Sequence, residues 1–342
     1  MIYKGIEVVC PACRADLDAS ATESWRCHTC GARYPVVAGI PDLRRWPDPY
    51  IGPEDDRAKG RAVAEAATTR GFEALIDHYY SMTSVVPPAD AAMYKRGLLA
   101  AGPRAQASLA RWRQEAGGVG QGGAFLDVGC GTGPLLVAAA RAGYGPVVGV
   151  DVAFRWLVLG RARLQEAGLD LPLLCANAEA LPFKEERFDV VALDSVIEHC
   201  RDQAATVADA HRVLRAGGTC FLSTPNRFSV GPDPHTGLPL GSLLPAAWTA
   251  RYARAKGAIP PVRHLLSRRT LTRLLRDARF SEPRLFLPGF SAEQRAHFKG
   301  AVGAAIGAYE VVRRTPGLKS LLFTVGPLLS AVARKPAAEG RP

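Results

Sequence analysis

The sequence predicts an α/β protein with a doubly wound parallel sheet, preceded by a small cysteine-rich module. Three observations lead to this prediction. Short apolar strands alternate with helices from Ala124 onward, a glycine-rich loop follows the first strand, and two Cys-x-x-Cys pairs lie near the N-terminus. The 342 residues allow about two domains, and a composition with 48% hydrophobic and 22% charged residues excludes wholesale disorder.

The apolar stretches of the chain are short. None approaches the ~18 residues of a membrane span, and the first residues lack the apolar run of a signal peptide. We therefore expect a cytoplasmic protein whose eight cysteines are reduced. In a reducing compartment, a tight cluster of cysteines is more typical of metal binding than of disulfides.

Four cysteines form two pairs with the spacing of metal ligands: Cys10, Cys13, Cys27 and Cys30. Each Cys-x-x-Cys turn brings two thiolates to one ion, and two such turns complete a tetrahedral zinc site. Zinc held by four thiolates has no open position for water, so we expect a structural ion. The alternatives are unpaired core cysteines or a redox pair, and we expect His28, inside the second pair, to be a bystander.

The segment from Tyr34 to Leu43 reads YPVVAGIPDL. It resembles the small bacterial zinc-ribbon proteins that end in a YPI-x-x-GIP-x-L pattern, which are related to an activator subunit of RNA and protein methyltransferases. The resemblance covers about residues 6–45. It implies a methyltransferase partner, fused here in the same chain.

Three stretches separate this ribbon from the α/β pattern. Residues 45–57 are rich in Pro and Asp and predict a linker, residues 58–116 predict helices, and the glycine-rich residues 117–123 predict a flexible break. We thus predict three parts. They are a zinc ribbon (1–45), a linker with a helical cap (46–120) and an α/β domain (121–342) with a basic substrate-side insertion at 225–284.

Five apolar segments predict the strands of the sheet: AFLDV, VVGV, PLLC, FDVVAL and TCFLST. Helices are predicted over 134–142, 153–167 and 203–214, with a later helix that Ser267 caps. Two late strands are predicted, at 284–288 and within 321–334. Such a sheet binds its ligand at the carboxyl ends of its strands.

The first strand runs into a loop with three glycines, Asp127-Val-Gly129-Cys-Gly131-Thr-Gly133. Glycines let the backbone approach a ligand at the N-terminus of the next helix. The dinucleotide-binding pattern would need glycine at Pro134. Asp151 ends the second strand, where a carboxylate can accept hydrogen bonds from both ribose hydroxyls, a role that NAD would also satisfy.

The order of these motifs resembles that of Rossmann-like S-adenosylmethionine (SAM) methyltransferases, and the motif sequences are similar to those of the quinone-biosynthesis enzymes. The D-x-G-x-G-x-G loop is similar to their motif I, residues 176–183 to their GDAE-x-LPF segment, and residues 212–218 to their RVLRPGG turn. The resemblance covers residues 124–226 in full. It implies a seven-stranded sheet, SAM as cofactor and methyl transfer as activity. Asn177 replaces the usual Asp, which removes the charge assistance to adenine.

The resemblance implies ten cofactor-binding residues, all at or near the carboxyl ends of the first four strands. They are Asp127, Gly129, Gly131, Gly133, Asp151, Val152, Asn177, Ala178, Asp194 and Ser195.

Methyl transfer is a displacement at an activated sulfonium, so a general base is needed only if the acceptor arrives protonated. His199, after the fourth strand, and His235, in the insertion, are the candidates, and either could be an ordinary loop histidine. The E-x-x-E-H metal motif of some quinone-precursor methyltransferases is incomplete because Ser195 stands at its first acidic position. The N-P-P-Y signature of enzymes that methylate exocyclic base nitrogens is missing.

Residues 251–284 carry ten Arg or Lys and two acids, a net charge of +8 within the total of +11. This segment fits a phosphate-bearing acceptor such as RNA, an anionic lipid or a nucleotide-linked sugar, and it equally fits a solvated helix face. We expect methylation of an oxygen or other nucleophile on a small molecule, lipid or glycan precursor. The alternatives are an RNA methyltransferase, for ribosomal or transfer RNA, and a non-catalytic SAM-binding scaffold.

Overall fold

The computed structural model describes residues 1–83, 86–118, 122–233, 235–290, 295 and 300–337, with only the backbone at 89, 301 and 302. Its strands are β1 (Ile2–Tyr3), β2 (Ile6–Glu7), β3 (Ser24–Arg26), β4 (Arg33–Val37), β5 (Ile40–Pro41), β6 (Phe125–Val128), β7 (Val147–Asp151), β8 (Leu173–Cys175), β9 (Phe188–Asp194), β10 (Leu214–Pro225), β11 (Ser281–Phe286) and β12 (Leu328–Arg334). Its helices are α1 (Pro53–Ala66), α2 (Phe72–Ser81), α3 (Pro88–Leu99), α4 (Ala101–Glu115), α5 (Pro134–Arg141), α6 (Phe154–Glu166), α7 (Gln203–Val213), α8 (Ala246–Ala255), α9 (Arg268–Asp277), α10 (Gly300–Arg314) and α11 (Lys319–Val325).

Seven strands form the central sheet in the order β11-β12-β10-β9-β6-β7-β8. The strands from β6 to β10 are parallel, and β12 runs antiparallel to both of its neighbours. The direction of winding reverses between β6 and β9, and ligands bind such sheets at the carboxyl ends of the strands that flank this switch point. The doubly wound seven-stranded sheet that the sequence predicts is confirmed.

Both faces of the sheet are covered, which explains why its strands are apolar throughout. One core cluster includes Leu126 and Val150 together with residues of α7 and α9. The other includes Phe125 and residues of α4, α5 and α6, with Trp112 stacked on Phe221 at 5.3 Å between ring centroids. Each fully buried Leu or Phe contributes about 1.5–3 kcal/mol, so these two clusters dominate the stability of the domain.

Two predicted elements differ from the structure. The apolar tail 321–334, predicted to supply the final edge strand, is helical over Leu321–Val325. Its strand begins only at Leu328 and lies inside the sheet, between β11 and β10. Gly326 and Pro327 separate the two because proline cannot continue a helix. The predicted linker also gives way to α1 at Pro53, where proline at the first helical position and three acidic residues in the first turn favour a helix.

Among the N-terminal helices, α1 and α2 pack against α6, and α4 packs against α5. The contact between α1 and α6 is close because Gly60 has no side chain; a Cβ there would overlap the ring of Phe154. Part of the predicted glycine-rich break, residues 119–121, lies outside the described residues. No helix within the described ranges is long and apolar enough to span a bilayer.

The cysteine-rich module consists of a β1–β2 hairpin and a three-stranded β3-β4-β5 sheet. Its end lies along β8, the edge strand of the central sheet. Asp42 bridges Cys175 in parallel, and the Leu43 N–H donates to the Cys175 carbonyl at 2.7 Å. Leu43 is fully buried in the same core cluster as Leu174. The module therefore covers the open edge of the sheet, which would otherwise present unpaired backbone groups.

Candidate active site

The loop after β6 needs its glycines. Gly129, Gly131 and Gly133 all have positive φ, at 73°, 51° and 75°. A Cβ on Gly129 would also collide with the side chain of Val196, in the loop after β9. The loop therefore turns tightly from β6 to the N-terminus of α5 and leaves free space above the sheet edge.

Asp151 holds this loop in place. Its Oδ2 accepts the Gly131 N–H at 2.7 Å, and its Oδ1 accepts the Ala153 N–H at 2.7 Å. Burial raises the pKa of Asp151 to about 6, although these two hydrogen bonds oppose the shift. Because each carboxylate oxygen has two lone pairs, Asp151 can still accept from a ligand.

Two further carboxyl groups lie close by. Asp127 is buried, and its Oδ2 has no hydrogen-bond partner among the described residues. Burial, together with the charges of Asp194 and Asp151, raises the pKa of Asp127 well above its usual range. Burial and the charge of Glu198 raise the pKa of Asp194 to about 6. A cationic ligand would relieve the cost of ionising these groups.

Two cavities meet at the glycine loop. The first, about 250 Å³, is lined by Gly129, Asp151, Ala178 and the segment 47–50. The second, about 340 Å³, is lined by Asp127, Gly129, Asp194 and Arg104 of α4. Gly129 and Ser195 line both cavities, so the two spaces adjoin across the carboxyl ends of β6 and β9.

A third cavity of about 540 Å³ shares Arg104, Ser108 and Asp194 with the second. Its walls include the aromatic side chains of Trp112 and Tyr309. The sequence indicates an acceptor side at the insertion 225–284 and does not indicate this cavity, whose lining comes mainly from α4, β11, α10 and β12. The helical spacing of α4 was the only signal in the sequence, and it does not show which face meets a ligand.

The predicted cofactor residues divide between these spaces. Most of them line the first cavity, the second cavity or both; these are Asp127, Gly129, Asp151, Val152, Asn177, Ala178, Asp194 and Ser195. Gly131 and Gly133 do not line either cavity and instead shape the loop.

The sequence predicts that the side-chain oxygen of Asn177 accepts from the adenine amine, and the structure gives this side chain partners within the chain. Its Oδ1 accepts the N–H groups of Arg45 and Trp46 at 2.8 and 3.1 Å, and its Nδ2 donates to the Trp46 carbonyl at 3.1 Å. These hydrogen bonds use both lone pairs of the oxygen in this arrangement, and a role of Asn177 toward adenine stays a prediction. Asn177 positions the segment that follows the cysteine-rich module.

A buried charge cluster fixes the same segment. Asp56 accepts from Arg44 at 2.6 Å and from the Arg155 guanidinium at 2.9 Å, and it also accepts the Phe154 N–H at 2.9 Å. Arg155 pairs in addition with Asp48 at 2.8 Å. The sequence does not predict these pairings, although Asp and Arg are dense in residues 42–57. The cluster joins the cysteine-rich module, α1 and α6 at the wall of the first cavity.

The structure brings the two candidate histidines together. Their Nε2 atoms lie 3.1 Å apart. His199 Nδ1 lies 3.0 Å from the Val262 carbonyl, and Arg263 donates to His235 Nδ1 at 2.9 Å. A carbonyl only accepts and a guanidinium only donates, so these partners assign the tautomers: His235 Nε2–H donates to His199 Nε2. Burial, followed by the charges of His199 and Arg263, lowers the pKa of His235 to about 4.

Glu198 adjoins this pair, and its ligand oxygen lies within 4.8 Å of the histidine nitrogens. Its Oε2 accepts from the Thr224 hydroxyl at 3.0 Å, while Oε1 has no partner among the described residues. This set does not fit a metal well. His235 would have to give up its Nε2 proton while Arg263 occupies its Nδ1 lone pair.

The four N-terminal cysteines converge. Their sulfur atoms all lie within 4.8 Å of one another, with Cys10 and Cys30 at 3.6 Å and Cys13 and Cys27 at 3.4 Å. These separations exceed a disulfide bond of about 2.05 Å. They approach the roughly 3.8 Å between thiolates at tetrahedral positions around an ion 2.3 Å away. The donor set therefore fits one zinc ion.

Comparison with known proteins finds similarity in the α/β part of the chain. Residues 126–222 match a family model described as a methyltransferase domain. The predicted resemblance to Rossmann-like methyltransferases is confirmed.

Curated relatives include ubiquinone biosynthesis O-methyltransferases. That of Parvibaculum lavamentivorans is 39% identical over 103 residues, which cover 30% of this chain and 40% of the relative. That of Ruegeria pomeroyi is 35% identical over 127 residues, or 37% and 50% of the two chains. The chain thus spans half or less of the length of these two relatives. Among solved structures, a SAM-dependent methyltransferase from Mesorhizobium loti is 21% identical with a TM-score of 0.44, covering 67% of this chain and 97% of that one.

Proposed function

We propose that this protein is a SAM-dependent methyltransferase that methylates an oxygen on a small molecule, lipid or glycan precursor. The observation that carries the proposal is the row of three adjoining cavities along the carboxyl edge of the sheet. The O-methyltransferase relatives support oxygen as the acceptor atom. No observation in the described site favours RNA over such an acceptor.

The two smaller cavities suit the two halves of SAM. In the first, Asp151 would accept from the ribose hydroxyls, with the base against Val152 and Ala178. In the second, Asp127 and Asp194 would face the ammonium group of the methionine half. The partnerless Oδ2 of Asp127 supports this assignment, because a buried carboxylate without a partner is costly unless a cation binds it. SAM supplies an activated methyl group.

The third cavity would hold the acceptor. In the transfer, the carbon–sulfur bond breaks as the carbon–oxygen bond forms, and sulfur keeps the electron pair as a neutral thioether. The aromatic walls, with Trp112 and Tyr309, would exclude water and align the acceptor. His199 lines the first cavity, but its Nε2 lone pair accepts from His235 and its Nδ1–H donates to the Val262 carbonyl, so it could take the acceptor's proton only once the hydrogen bond to His235 opens.

Transfer of radiolabelled methyl from SAM into a total cell extract tests the proposal. The extract is then separated into RNA, protein and organic-soluble pools. We expect label in the organic-soluble or small-molecule pool, and none with an Asp151→Ala variant. Label in RNA that nuclease removes would contradict the proposal and favour an RNA methyltransferase. Bound SAM without label in any pool would favour a scaffold.

We also propose that Cys10, Cys13, Cys27 and Cys30 hold one structural zinc ion. We expect about one zinc per chain in freshly purified, reduced protein, measured by inductively coupled plasma mass spectrometry. A Cys13→Ser/Cys30→Ser variant should lose the ion, whereas Cys200→Ala, outside the cluster, should keep it. Protein without zinc in the unaltered chain would refute the assignment.

SAM binding should depend on pH. The pKa values of Asp151 and Asp194 rise from an ordinary 3.8 to about 6 in the fold. The protonated forms of these two side chains therefore add to the free energy of unfolding below about pH 3.8, and this contribution is lost as the pH rises through about 6. A cationic ligand prefers the ionised carboxylates. The increase in melting temperature caused by saturating SAM should thus be larger above pH 6 than below it, and an equal increase on both sides would contradict this prediction.

Two other expectations remain proposals. One is the division of the chain at residues 45 and 120. The other is a cytoplasmic location, a reducing compartment in which a cysteine cluster can hold zinc.

A further inference from the structure

An open groove lies between α9 and α11, and none of its lining residues belongs to the three cavities of the proposed active site. Its volume is about 850 Å³. Four arginines of α9 line it: Arg268, Arg269, Arg273 and Arg276. All four side chains are exposed. The groove is thus a positively charged surface on α9, which lies within the basic segment 251–284.

The arginines face outward because the opposite side of α9 is anchored. Leu271 and Leu275 are fully buried in the core, and Ser267 caps the helix by accepting the Thr270 N–H at 3.2 Å. None of the four guanidinium groups forms an ion pair with a residue that the structure describes. Asp277 is the only acid in the lining. Arg269 and Arg273, four residues apart, repel each other, so the arrangement does not stabilise the helix.

Exposed apolar side chains flank the arginines. Phe228, 47% exposed, lines the groove itself. Val230, 53% exposed, is tied to the end of α11 because its N–H donates to the Val325 carbonyl at 3.1 Å. Leu321, 56% exposed, lies one helical turn before Thr324, which lines the groove. A cationic surface beside exposed apolar side chains is the pattern of proteins that lie on membrane interfaces.

We propose that this groove and its apolar rim bind the surface of an anionic phospholipid membrane. Arginines would contact the lipid phosphates, and Phe228, Val230 and Leu321 would enter the headgroup region. RNA is less well matched, because the rim has one exposed aromatic ring and Arg268 already covers Phe323 at 4.8 Å. A free phosphate would not contact the apolar side chains of the rim. This proposal does not depend on the proposed methyltransferase activity.

Vesicle sedimentation tests the proposal with the full chain. We expect binding to phosphatidylcholine vesicles that contain about one third phosphatidylglycerol, little binding to pure phosphatidylcholine, and release as salt rises from about 0.05 to 0.5 M. An Arg269→Gln/Arg273→Gln/Arg276→Gln variant should bind these vesicles on the order of 100-fold more weakly, because each arginine near the surface contributes about fivefold.

A matched control removes the same charge elsewhere. Arg70, Arg96 and Arg141 are exposed and lack ion-pair partners among the described residues, so their triple glutamine variant should keep most of the binding. A Phe228→Ser/Leu321→Ser variant should bind more weakly with its salt dependence intact. Equal binding to neutral vesicles, equal losses in both triple variants, or preference for a single-stranded RNA oligonucleotide over the vesicles would each overturn the proposal. Unchanged melting temperatures would show that the variants are folded.

Discussion

Asp56→Ala should lower the free energy of unfolding by about 4 kcal/mol. Asp56 is fully buried and pairs with Arg44 and Arg155 at 2.6 and 2.9 Å. Its removal leaves two buried guanidinium groups with one partner fewer each, and it leaves the first N–H groups of α6 without an acceptor. Urea denaturation monitored by circular dichroism measures the change.

Asp55 provides the matched control. It is exposed in the same helical turn, so Asp55→Ala removes the same charge and should change stability by less than about 0.5 kcal/mol. Equal effects of the two substitutions would show that the charge cluster does not join the N-terminal module to the sheet. Since a whole domain is stable by about 5–15 kcal/mol, the expected loss for Asp56 is a large fraction of the total.

Asp151→Ala should weaken SAM binding by at least about 100-fold, because each hydrogen bond to a charged acceptor contributes about 1.5–3 kcal/mol. The substitution removes the acceptor proposed for two ribose hydroxyls. It also frees the N–H groups of Gly131 and Ala153, which now donate to this carboxylate at 2.7 Å. The glycine loop would therefore lose its anchor. Isothermal titration calorimetry with SAM gives the affinity directly.

Asp170→Ala is the control for this second prediction. Asp170 is an exposed aspartate that pairs with Lys4 on the surface, so its loss should leave SAM affinity within about twofold. A melting curve of each variant separates lost binding from lost folding. Folded Asp151→Ala protein with unchanged SAM affinity would remove the basis for assigning the first cavity to the nucleoside.

The sheet could be predicted from the sequence because its strands are buried on both faces. Runs such as FLDV and FDVVAL are apolar without the alternation of a half-exposed strand, which is typical of strands buried on both faces. The helices between them indicate parallel strands. The glycine loop was predictable for a related reason, since a positive φ at Gly129 and Gly133 restricts the residue type. Local constraints of this kind determine the residue type at a position and can therefore be recognised in the sequence.

The rest depends on contacts between distant segments. His199 and His235 are 36 residues apart, and only the folded insertion brings their rings together. Asn177 was assigned from its place in a motif, but its amide pairs with Arg45 and Trp46, more than 130 positions away in the chain. The third cavity likewise forms only where α4, β11 and α10 meet. The spacing of residues in the sequence does not predict these tertiary contacts.

The attachment of the cysteine-rich module to β8 has a consequence for how the protein behaves on dilution. Residues 47–50 line the first cavity, and only three residues separate them from Asp42 and Leu43, which pair with Cys175. If the module were a separate subunit, this wall would dissociate at low concentration. Covalent linkage replaces that bimolecular step with an effective concentration in the millimolar range. We therefore expect the affinity for the cofactor to be the same at nanomolar and micromolar protein, without the cooperativity of an assembling pair.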